Sequence, residues 1–95
     1  MDVTHDVALE LALDEYLHML DRVAPWMAEE TADTLRPFCH WLYARTAFDV
    51  PLRAADADAI STYAASTGLD ASVERALREA IRALQEFAAE RLPSS

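Results

Sequence analysis

Ninety-five residues, 53% of them apolar, allow one hydrophobic core and exclude both a disordered chain and a second domain. One Gly and four Pro, against abundant Ala and Leu, disfavour a sheet protein and favour helices joined by short loops. A net charge of −9 opposes contact with phosphate or anionic lipid, and a single Cys excludes an intramolecular disulfide and suits a reducing cytoplasm.

The first predicted helix runs from about Thr4 to Val23, with Asp2 or Thr4 as its cap and Leu9, Leu13, Tyr16, Leu17 and Leu20 as its buried stripe. Asp6, Glu10 and Asp14 suit the positive end of its dipole, and Arg22 suits the negative end. Ala24-Pro25 breaks the pattern, since Pro25 biases Ala24 away from the helical region and can itself start the next helix. The second helix covers about Pro25 to Arg45, with Leu35, Phe38, Cys39, Trp41 and Leu42 as its bulk. Pro37 removes the bond to the Asp33 carbonyl and predicts a kink, or a helix restarted near Thr34.

Thr46 to Ala55 reads as a loop pinned to the core by Phe48, Val50 and Leu52. A short third helix follows from about Asp56, its N-cap, to Thr67, with Ile60, Tyr63 and Ala64 inward and Gly68 as the left-handed terminator. The fourth helix, Asp70 to Leu92, shows the clearest periodicity. Val73, Leu77, Ala80, Ile81, Leu84, Phe87, Ala88 and Leu92 form one apolar face, Asp70 or Ser72 can cap it, and Pro93 stops it. A one-sided helix of this length needs partners to cover it. The fold class is therefore all-α, an orthogonal bundle of four main helices. It forms a single domain over residues 1–95 with an ordered core over about 4–92.

All eight basic residues are Arg. A GC-rich genome and a high-salt cytoplasm both produce that composition. The charge is uneven: residues before Thr34 carry nine acids and one Arg, or −8, and the rest carry eight acids and seven Arg, or −1. No apolar run approaches the roughly 20 residues of a membrane span, and MDVTHDV lacks the basic start of a signal peptide.

Catalytic chemistry finds little support. Glu15-x-x-His18 has the spacing of half a di-iron carboxylate site, but no second copy exists, and a solvated face is its ordinary use. Cys39 and His40 point about 100° apart on a helix, so the imidazole is poorly aimed to activate the thiol. His5 lies near the terminus. Ser61, Thr62, Ser66 and Thr67 read as solvation at a helix end. No glycine-rich phosphate loop and no metal-spaced Cys/His cluster is present, so no cofactor, metal or small-molecule substrate is implied.

Two features point to a partner. Trp26 beside Pro25 is either a staple over the first helix junction or an exposed partner contact. Arg75, Arg78 and Arg82 form one stripe on the outer face of the fourth helix. Its ordinary use is i,i+4 pairing with Glu79, Glu86 and neighbours; its functional use is a row facing phosphate.

The order Ala24-Pro25-Trp26-Met27, then Thr34-Leu35-Arg36-Pro37-Phe38-Cys39-His40-Trp41-Leu42, then Asp56 to Tyr63, then Ile81-Arg82-Ala83-Leu84-Gln85-Glu86-Phe87 resembles the N-terminal core-binding, SAM-like domain of tyrosine recombinases and phage integrases. The likeness spans roughly Leu9 to Phe87 and lacks the catalytic domain, so it implies no strand cleavage. Met27, Thr31 and Gln85 stand where that family has Thr, Tyr and Arg against DNA. The resemblance implies a non-enzymatic module contacting DNA backbone through the second and fourth helices, with Arg36, Arg75, Arg78 and Arg82 as phosphate contacts. The alternative is an acidic protein-interaction domain: an adaptor, an inhibitor of a DNA-binding partner, or a self-associating bundle. The strongly acidic first third suits a basic protein partner.

Overall fold

The computed structural model describes residues 8–46 and 50–91, with the side chain of residue 46 left aside. Four helices make an all-α bundle, as the periodicity predicts: α1 Leu9–Val23, α2 Pro25–Thr46, α3 Ala57–Thr67 and α4 Ala71–Arg91. One short 3₁₀ turn, Leu52–Ala54, lies between α2 and α3 where a plain loop is expected from the sequence. Phe48, His5, Asp6 and Leu92 lie outside the described residues.

The start of α1 differs from expectation. Ala8 is extended and forms an isolated antiparallel bridge with Pro51, while Leu9 donates its N–H to the Val50 carbonyl at 2.8 Å. A distant part of the chain thus fixes this end: Ala8 is the N-cap, and Asp2 and Thr4, the caps expected from the sequence, lie outside the described residues. Leu9, Ala12, Leu13, Tyr16, Leu17 and Leu20 then fill one buried face.

At Ala24 the chain turns as Pro25 demands. Ala24 closes α1 by donating to Leu20 at 2.6 Å, and its carbonyl opens α2 by accepting from Met27 at 2.8 Å and Ala28 at 3.1 Å. α2 then runs unbroken through Pro37 and does not restart near Thr34. Pro37 and Asp33 are both exposed, so water can satisfy the carbonyl that lost its partner, while Leu35 and Phe38 hold the helix on the core.

α3 is capped as predicted: the Asp56 carboxylate accepts the Ala59 N–H at 2.9 Å. Gly68, at φ 67° and ψ 42°, terminates it, and the Ala64 carbonyl accepts from both Gly68 at 2.9 Å and Leu69 at 3.1 Å. Tyr63 of α3 meets Phe38 and Trp41 of α2 edge-on, each at 5.3 Å between ring centroids. Tyr16 of α1 meets Phe87 of α4 at 5.2 Å. Leu77, Ile81, Leu84 and Ala88 bury the face of α4, but Val73, in its first turn, is 44% exposed and lies outside the core. Among the described residues the core buries no charged or polar residue, so burial of apolar area, at about 1.5–3 kcal/mol per large side chain, holds it. The radius of gyration, 13.0 Å, is that of a globule of about 100 residues.

Candidate interaction surface

The turn at Ala24-Pro25 sets the phase of α2 and thereby places Trp26. Nine residues separate Trp26 from the buried Leu35, and at about 100° per residue that is half a turn. Trp26 consequently points away from the core and is 69% exposed. It is not a staple over the helix junction. Val23, 72% exposed at the end of α1, and Met27, 43% exposed, stand near it in sequence on either side of the turn. An exposed indole offers a broad apolar face and one N–H donor, the usual chemistry of an interface anchor.

Trp26 forms the wall between two grooves. One lies between α1 and α2, has a volume of about 560 Å³, and carries Asp14, His18, Asp21, Glu29 and Arg36. The other lies between α2 and α4, has a volume of about 320 Å³, and carries Met27, Glu30, Thr31, Thr34, Glu79 and Ala80. Together these linings hold five carboxylates, Asp14, Asp21, Glu29, Glu30 and Glu79, against one guanidinium, Arg36.

The four arginines of the sequence reading are only partly brought together. Arg75, Arg78 and Arg82 share one side of α4, as their spacing requires. Arg75 and Arg82 are exposed. Arg78 is held: its Nη2 lies 2.7 Å from Glu74 Oε2 and 2.8 Å from Ser61 Oγ on α3, and its Nε donates to Glu74 at 3.1 Å. The ion pair therefore goes to Glu74, one turn back, an i,i+4 neighbour of the kind the spacing suggests. Arg36 stands apart from this row, on the α1 side of α2 beside Glu10 and Asp14. The α4 side of α2 carries Met27, Thr31 and Thr34.

Gln85, which stands at a family Arg position, donates to the Ala55 carbonyl at 3.2 Å and so ties α4 to the turn before α3. Thr62 and Thr67 return their hydroxyls to the carbonyls of Asp58 and Tyr63 at 2.9 and 2.8 Å. Cys39 is buried; burial pushes its thiol up to about 12, against a weaker opposing pull from Arg36. A thiol so held is a poor nucleophile, and His40 is exposed on the surface. Glu15 and His18 line a shallow surface groove with Met19, Arg22, Phe87 and Arg91. No group of three or more His, Cys, Asp or Glu is arranged to hold a metal ion among the described residues. None of the described helices is long and apolar enough to cross a membrane.

No family model, no curated protein and no solved structure matches the chain.

Proposed function

We propose that this chain is a non-enzymatic protein-interaction domain that works in the cytoplasm and meets its partner at the α1–α2 turn. The observation that carries this reading is the 69% exposure of Trp26, with the exposed Val23 and Met27 close to it in sequence, on a bundle whose other described aromatics pack inward. Leaving such a side chain in water forgoes about 1.5–3 kcal/mol of burial, which a partner can recover. The buried, unionised Cys39 supports the non-enzymatic part, and a lone free thiol supports a reducing compartment.

The test is crosslinking of the chain in its host, followed by mass spectrometry, with wild type, Trp26→Ala and the Arg75→Gln/Arg78→Gln/Arg82→Gln variant in parallel. The expected result is a protein recovered with wild type and the arginine variant and lost with Trp26→Ala. Recovery unaffected by Trp26→Ala would overturn the reading.

The second reading is the DNA-backbone module, and the exposed pair Arg75 and Arg82 on one side of α4 favours it. Two features weigh against it: Arg78 is already committed to Glu74 and Ser61, and Arg36 lies among carboxylates.

A further inference from the structure

We infer that the occupant of the Trp26 surface is a basic, amphipathic segment of another protein, which sets an Arg or Lys over the Trp26 ring while apolar side chains enter the groove between α2 and α4. This inference rests on the protein-interaction reading and adds the chemistry of the partner.

The argument is charge complementarity around an aromatic face. Trp26 divides two grooves whose linings carry five carboxylates and one guanidinium. Glu29 and Glu30 follow it by three and four residues, so they occupy the next turn of the same helix beside the ring. A cation over an indole is attracted by the ring quadrupole, Trp being the best such acceptor, and carboxylates alongside add to the attraction. The chain already uses this contact internally, with the Arg45 guanidinium 4.6 Å from the Trp41 ring centroid. The floor of the α2–α4 groove, Met27, Thr31, Ala76 and Ala80, is small or flexible and mostly apolar, and accepts aliphatic side chains.

The same features exclude other occupants. Phosphate and anionic lipid share the sign of the rim. A second copy of this chain, itself at −9, would bring identical acidic rims together across a two-fold interface.

The experiment uses three synthetic amphipathic peptides of one Leu/Ala scaffold, with Arg, Gln or Glu at every polar position. Each is titrated into the ¹⁵N-labelled full chain. The readout is the indole N–H cross-peak of Trp26, assigned by its loss in Trp26→Phe. The Arg peptide should shift that peak and bind at least tenfold more tightly than the Gln peptide, and the Glu peptide should not bind. Glu29→Gln/Glu30→Gln/Glu79→Gln should weaken the Arg peptide and flatten its salt dependence. The remote pair Glu86→Gln/Glu90→Gln should leave both nearly unchanged. Equal binding of the Gln peptide at Trp26 overturns the basic-partner inference and leaves the interaction surface standing. Equal weakening by the remote pair, or no shift of the indole with any peptide, also overturns it. The interaction reading is judged separately, by the crosslinked partner and its dependence on Trp26.

Discussion

Gln85 and Ala55, thirty positions apart, are joined by a side-chain donor on α4 and a buried backbone acceptor, at 3.2 Å. Ala55 is fully buried at the close of the 3₁₀ turn, so its carbonyl has no access to water. Gln85→Leu removes the donor and strands that acceptor, which costs about 1–3 kcal/mol. Gln85→Glu should lose a similar amount, because a carboxylate cannot donate. Urea denaturation of both variants checks this; a loss below about 0.5 kcal/mol in each would show that the bond contributes nothing net.

Leu84 fills the centre of the α4 face and is fully buried. Leu84→Ala should cost about 2–5 kcal/mol as a cavity. Val73 belongs to the same sequence stripe yet is 44% exposed, so Val73→Ala should stay within about 0.5 kcal/mol. The two midpoints measured side by side separate the stripe read from periodicity from the face that is packed. Equal losses would mean that the first turn of α4 is also core.

Gly68 holds φ 67°, and a Cβ added there would meet nothing within 4 Å. The cost of a substitution is thus purely that of the left-handed backbone, about 1–2 kcal/mol for an ordinary residue. Gly68→Val should lie at or above the top of that range, and Gly68→Asn should be milder because Asn tolerates αL. If Val and Asn variants unfold at the same urea concentration as wild type, the conformation is not αL in solution.

Burial holds the Cys39 thiol at about 12, above its ordinary 9.0. A raised thiol favours the neutral form in the folded state only. The resulting stability is fully present below pH 9 and is lost as pH rises from about 9 towards 12, at about 1.4 kcal/mol per pH unit. Burial also raises Tyr16 above 10.0, which adds a loss of the same sign at higher pH. Chemical denaturation at pH 7.5, 9 and 10 should show the decline, and Cys39→Ala should remove most of it between 9 and 10. A wild-type curve as flat as that of Cys39→Ala would contradict the burial of the thiol.

The fold was legible where a local rule acts alone. The Asp56 cap, the Gly68 terminator and the Pro25 start each follow from one residue's own backbone chemistry. It was illegible where a distant segment intervenes. The pattern at Ala8 suits a helix, but the Val50 carbonyl takes the Leu9 N–H and Ala8 pairs with Pro51. The restart near Thr34 is absent, because Pro37 stands on the wet side of α2, where water can replace the bond it removes. The site was half legible. Trp26 lies half a turn from Leu35 once α2 is taken as unbroken from Pro25, and that spacing signals exposure; adjacency to the turn suggested a staple. The Arg78–Glu74 pair follows from i,i+4 spacing, whereas the added bond to Ser61 comes from α3 and carries no local signal.

The arginine row divides the two functional readings most directly. In Arg75→Gln/Arg78→Gln/Arg82→Gln, the Arg78 bonds to Glu74 and Ser61 are lost at a site where both ionic side chains are about a third exposed. Solvent screening limits the loss, and stability should fall by at most about 1 kcal/mol. The row lies away from Leu77, Ile81 and Leu84, so the fold survives. If the row meets phosphate, affinity for DNA should fall across all sequences, and the slope of log K against log salt should flatten by about 3 units. If the partner is a basic protein, removing three positive charges should leave binding unchanged or strengthen it, since the chain becomes more acidic. Filter binding to random duplex at several salt concentrations, beside titration of the Arg peptide, reads both arms on one variant. Weaker DNA binding with a flatter slope assigns the row to phosphate, and loss of the Arg peptide on the same variant overturns the basic-partner inference. An unchanged slope removes α4 as a DNA face.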